Sequence, residues 1–190
     1  MNRLKLAAPL LVIFLLSVFV WGCGGDNGRA KQLMTAADQS YQVLHEQGIR
    51  LQRLEEAAGT ALFTTDPAKL IAVSSQIPEI KAGMDSYQVL AKATLAKYEK
   101  ILPLSGVPDY KTYANMMISS VKLLIDSVVV GEQVIAAENA LIAKLKAGEQ
   151  VNLTAAQAPL FTQINKALDL AKKGKDQGVK AAAYQKANKL

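Results

Sequence analysis

From Met34 to Leu145 the apolar residues recur at spacings that alternate three and four, and no stretch shows the period-two alternation of a strand. Such spacing lays a stripe of side chains along one side of a helix, where it is buried only by packing against other helices. The expected fold class is therefore all-α. One stripe runs from Met34 through Leu44 and Leu51 to Ala58 and Leu62, with Glu55 on it. A second runs from Leu70 through Ile80 and Tyr87 to Ile101, and a third from Tyr110 through Val121 and Val128 to Leu145, with Glu138 on it. A fourth is clear at Leu160, Ile164, Leu168 and Ala171 and then fades.

Glycine and proline gather between the stripes and set the boundaries. Thr64-Thr65-Asp66-Pro67 reads as a loop entering a helix, with Asp66 as cap and Pro67 as first helical residue. Pro103, Gly106 and Pro108 mark a second break, and Gly148 ends the third long helix. Thr154-Ala155-Ala156-Gln157 has the form of a capping box opening the last one. Pro78 is expected to kink the second helix or split off a short first piece. The expectation is four long antiparallel helices in an up-down-up-down bundle over residues 30–190, because short connections favour antiparallel neighbours. Met116 to Val130 is apolar on most faces, so the third long helix should be the most buried; Ser119, Ser120, Lys122 and Asp126 within it argue against a membrane span. Ser40-Tyr-Gln-Val-Leu44 recurs as Ser86-Tyr-Gln-Val-Leu90, an echo more simply read as coincidence in a low-diversity helical sequence.

Little in the sequence points to catalysis. There is no Glu-x-x-His pair for a di-iron bundle, no glycine-rich phosphate loop and no Gly-x-Ser-x-Gly elbow. The lone His45 reads as a surface or packed histidine rather than a haem ligand. No enzyme, no metal and no cofactor are expected. One constellation deserves a candidate site. Glu55 and Glu138 both fall on apolar stripes, about 35 to 45 Å from their helix starts by the rise per residue. Counting along the other helices brings Ser74, Ser75, Gln76, Gln163 and Lys166 to a similar height. Glu55, Glu138, Ser75 and Gln163 are thus candidates for a polar pocket, since buried carboxylates are rarely left unpaired; the competing reading has both glutamates reaching solvent.

At the N-terminus, Arg3 and Lys5 precede Leu6 to Val20, a run without a charged residue that ends in Gly22-Cys23-Gly24-Gly25. A short positive region followed by an apolar one is the pattern of a secretory signal, and the run is short for the roughly 20 residues of a spanning helix. Val20-Trp21-Gly22-Cys23 resembles the lipobox of bacterial lipoproteins, with Trp21 departing from the small or aliphatic residue usual there. The resemblance implies a signal peptide over residues 1–22, a lipid on Cys23 and a tether over residues 23–29. Cys23 is the only cysteine of the chain, and lipidation would account for it. Two or three acyl chains anchor stably where one does not. Gly24 rather than Asp after the cysteine implies an outer-membrane address where the host has an outer membrane, and otherwise the outer face of the cytoplasmic membrane.

The chain carries a net charge of +6, which becomes +4 without Arg3 and Lys5. Residues 166–190 hold seven lysines against Asp169 and Asp176. Lys180, Lys186 and Lys189 are candidates for lipid-headgroup contact, because an even number of antiparallel helices returns the C-terminus to the anchored end. A nucleic-acid partner is not expected. Together these features suggest a lipid-anchored, non-enzymatic envelope module that binds or scaffolds an envelope protein. The alternative is a small-ligand carrier or sensor with a polar pocket in the bundle core.

Overall fold

A computed structural model describes residues 25–62 and 64–190; the signal-like segment and Val20-Trp21-Gly22-Cys23 lie outside them. The described residues form five helices and no strand: α1 Gly25–Leu62, α2 Pro67–Val73, α3 Ile77–Glu99, α4 Pro108–Lys146 and α5 Leu153–Ala187.

Local chemistry explains the boundaries. Asp66 caps α2, its Oδ1 accepting from the N–H of Ala68 at 2.9 Å and of Lys69 at 3.4 Å, and Pro67 fills the first helical position. The chain turns at residues 74–76, so Pro78 sits in the first turn of α3, where its missing N–H costs nothing, and α2 is the separate short piece. Gly148 takes φ +79° after α4. Its N–H bonds the Leu145 carbonyl and the N–H of Glu149 bonds that of Lys144, which closes the last turn as a Schellman motif. Two expectations change. The cap of α5 is Asn152, whose Oδ1 accepts from Ala155 N at 3.0 Å, so Thr154 lies inside the helix instead of opening a capping box. Residues 25–29, expected within a flexible tether, are the first turns of α1. Asp26 there accepts from the backbone N–H of Ser105, and Ala30 is fully buried with Leu104 and Val107.

Contacts between helices run in opposite order along each adjacent pair. On α1 and α3, Asp38 meets Tyr98, Ser40 meets Thr94 and Gly48 faces Tyr87. On α4 and α5, Asp109 meets Tyr184, Ser120 meets Gly174 and Ser127 meets Ala167. Tyr98 packs edge-on against Tyr113, with ring centroids 6.1 Å apart, while Met84 of α3 faces Gly131 of α4. The C-terminal part of α5 lies beside the start of α1, with Gln185 against Met34 and Gly178 against Tyr41.

Besides the small cluster of Ala30, Leu104 and Val107, the core has two larger apolar blocks. One gathers Met34, Ala37, Ile101, Ala114 and Met117 near the start of α1; the other runs from Leu44 and Leu51 to Ile80, Val128 and Leu153. A polar belt lies where they meet. Asp38 Oδ1 accepts from the hydroxyls of Tyr98 and Tyr113, each at 2.7 Å, and Oδ2 accepts from Gln185 Nε2 at 3.2 Å. One carboxylate on α1 thereby ties α3, α4 and α5. Beside it, Ser40 bonds Thr94 at 2.8 Å, and Ser120, bonded to Tyr41, donates to the Gly174 carbonyl at 2.7 Å. Among the described residues α4 alone is long and apolar enough to cross a membrane, yet fourteen of its residues are buried against the other helices. It is the core helix.

Candidate functional site

Near Tyr41 the space between α1 and α5 is bridged by the Tyr41 side chain, whose hydroxyl seats against Gly178 because that residue has no side chain of its own. Farther along α1 they do not close on one another. The space between them is a cleft of about 720 Å³ that begins at Tyr41 and His45 and reaches Glu55, Glu56 and Gly59. Its size falls in the range of ligand pockets. The cause lies in side-chain volume. The wall offered by α5 at this height includes Ala167 and Ala171, residues too small to fill the gap at ordinary interior density, whereas Gly48 of α1 is covered by the Tyr87 ring.

The floor is apolar. Met84 and Tyr87 come from α3, and Leu124, Val128 and Ile135 from α4. Burial and the neighbouring Tyr41 hold the Tyr87 hydroxyl well above the usual phenol range, so it remains protonated. Ile49 on one lip and Leu168 on the other are 40 % and 62 % exposed, which makes the mouth apolar. Leu168 was expected on the buried stripe of α5. That stripe is instead Leu153, Gln157 and Leu160 at one end and Gly174, Gly178 and Ala181 at the other. Two of these are glycines, invisible to a count of apolar side chains.

The charges divide between the two ends. Lys172, Lys175 and Asp176 of α5 line the end near Tyr41 and His45, whereas Glu55 and Glu56 line the far end. Partial desolvation at the cleft wall, and then the adjacent Glu56, raise the Glu55 carboxyl above its ordinary value. Glu56 accepts from Gln52 Nε2 at 2.7 Å.

The four residues considered for a polar pocket are not brought together. Glu55 lines the cleft, but Ser75 is exposed and its Oγ donates to the Ala72 carbonyl, and Gln163 is exposed on α5. Glu138 is fully buried outside the cleft, and neither of its carboxyl oxygens has a hydrogen-bond partner. Burial pushes its carboxyl up to about 7. Ser74 is engaged with Lys146, and Gln76 and Lys166 are exposed. Asp38 falls one position past the stripe residue Ala37 and so reads in the sequence as the edge of a solvated face. Lys180, Lys186 and Lys189 are exposed along the C-terminal part of α5, the part that lies beside the start of α1.

No group of three metal-binding side chains occurs among the described residues. No family model matches the chain, and neither a curated protein nor a solved structure matches it.

Proposed function

We propose that the chain is a lipid-anchored, non-enzymatic lipoprotein of the cell envelope, and that it works as a binding module through the cleft between α1 and α5. The helices would form an up-down-up-down four-helix bundle, with α2 and α3 together making the second member. The anchoring half of this reading rests on Val20-Trp21-Gly22-Cys23 and the apolar run before it. The binding half rests on the cleft: an open, apolar space of about 720 Å³ with exposed Ile49 and Leu168 at its mouth. Water is a poor occupant for such a surface, and covering it supplies binding energy in proportion to the apolar area removed from solvent. This favours binding in the cleft over the polar pocket, whose residues are dispersed.

Two measurements in cells address the halves separately. Cys23→Ser should abolish labelling of the protein by a palmitate analogue; persistent labelling would overturn the lipoprotein reading. A photo-crosslinking amino acid at Leu168 should capture an envelope component, while one at Val89, 71 % exposed and not part of the cleft lining, should not. Equal capture at both positions, or none at Leu168, would remove the cleft as the binding site.

A further inference from the structure

We propose that the occupant of the cleft is a single acyl chain bearing an anionic head, lying along the groove with its head at the Lys172–Lys175 end. This rests on the binding reading above and names the ligand class. Three observations carry it.

The first is shape. From Tyr41 to Gly59 the groove follows α1 for roughly 27 Å by the rise per residue. About 720 Å³ spread over that length makes an elongated groove rather than a round pocket. An extended hydrocarbon chain matches that shape. The acyl chains of one leaflet span about half of a hydrocarbon core roughly 30 Å thick, so a chain of that length lies within the groove.

The second is chemistry along the length. The middle of the groove is lined by Met84, Leu124, Val128, Ile135, Ile164 and Ala171, with no charge among them. Each methylene covered there contributes about 0.8 kcal/mol. The third is the asymmetry of the ends. Lys172 and Lys175 have no ion pair among the described residues, although Lys173 between them is paired with Asp169 at 2.7 Å. With His45 across the groove and Asp176 beside them, they leave that end net positive, and Glu55 and Glu56 make the other end unfavourable for an anion. Charge therefore orients the head. An acyl chain held on Cys23 does not reach this site in the same way, because α1 runs roughly 24 Å from Gly25 before the groove begins at Tyr41.

The test uses the full chain in cells fed a palmitate analogue that carries both a diazirine and an alkyne. Label that appears without light reports acylation of Cys23 and tests the anchor. Label that requires light reports the groove, so failure of one is separable from failure of the other. Light-dependent adducts should map to peptides containing Ile49 and Leu168. Ala171→Trp, which fills the groove, should lower them at least fivefold. Lys172→Glu with Lys175→Glu alters exposed side chains only and should keep the helical circular dichroism spectrum. It should lower light-dependent labelling by the palmitate analogue several-fold, and leave labelling by the matching uncharged long-chain alcohol unchanged. Adducts spread evenly over the surface, adducts indifferent to Ala171→Trp, equal labelling of the lysine and glutamate forms, or a protein as the species captured at Leu168 would each overturn the proposal.

Discussion

At the residue scale the half-buried Asp38 and the fully buried Glu138 are both raised, but one has partners that offset its burial and the other has none. Burial raises the Asp38 carboxyl, and its bonds from Tyr113, Tyr98 and Gln185 pull it back. Glu138 has only the burial. Its carboxyl is higher in the folded chain, about 7, than the usual 4.5, so the folded state holds a proton that the unfolded state has released. The associated stability is fully present below about pH 4.5, falls as the pH rises, and is gone above about pH 7. The size of the loss is on the order of 3 kcal/mol. Glu138→Gln, neutral throughout, should flatten this part of the profile: the drop in melting temperature between pH 5 and pH 8 should be smaller than in the parent by several degrees. An identical drop in both proteins would show that Glu138 is not the group responsible.

At the scale of elements, the close approach of α5 to its neighbours depends on two glycines. A Cβ on Gly174 would lie 2.9 Å from Leu124 and 3.1 Å from the backbone oxygen of Ser120, and one on Gly178 would lie 2.5 Å from the Tyr41 hydroxyl. The neighbours of Gly174 yield less than the tip of the Tyr41 side chain. The Ser120 oxygen belongs to a helix backbone, and Tyr41 is bonded to Ser120. Gly174→Ala should therefore cost about 1–3 kcal/mol through overpacking, more than the roughly 1 kcal/mol that alanine gains over glycine in a helix. Gly59→Ala in α1 meets nothing within 4 Å and should show only the gain. Denaturant melts of the two variants should move in opposite directions, and a shared direction would mean that the approach of α5 to α4 is not limited by residue 174. The Ser40–Leu44 echo loses its meaning at this scale too, since Ser40 is buried against Thr94 while Ser86 is exposed.

For the whole molecule, the register of α5 against α1 has a consequence for orientation. Gln185 lies against Met34, so the last turns of α5 and the first turns of α1 share one end, and Lys180, Lys186 and Lys189 stand exposed there. If Cys23 is the anchor, those lysines face the headgroups, each contributing up to about 1 kcal/mol near an anionic surface. Screening confines the effect to about 8 Å at physiological salt, so it sets the tilt of the molecule more than its retention. The protein without its lipid, made as Cys23→Ser, should bind anionic vesicles weakly and release them in high salt. Replacing the three lysines by glutamine should abolish that binding. Salt-independent binding, or equal binding by the glutamine form, would leave this end as an ordinary solvated helix terminus.

Helix content, the breaks at Asp66-Pro67, Pro103 to Pro108 and Gly148, and the burial of α4 were legible in the chain because they follow from local rules. Proline and glycine act on their own backbone, and the three-four spacing of Ala114, Met117, Val121, Leu124 and Val128 defines a face whatever packs on it. The cleft was not legible, since an empty volume belongs to no residue: it lies where the small Ala167 and Ala171 of α5 stand opposite α1, far away along the chain. Asp38 was missed for the same reason, its three partners standing 60, 75 and 147 positions away. Sequence alone determined where helices begin, end and turn an apolar side inward, because those choices depend on neighbours along the chain. Only the tertiary structure decided which small residues coincide, which carboxylate finds partners and which does not, because those outcomes depend on groups brought together through space.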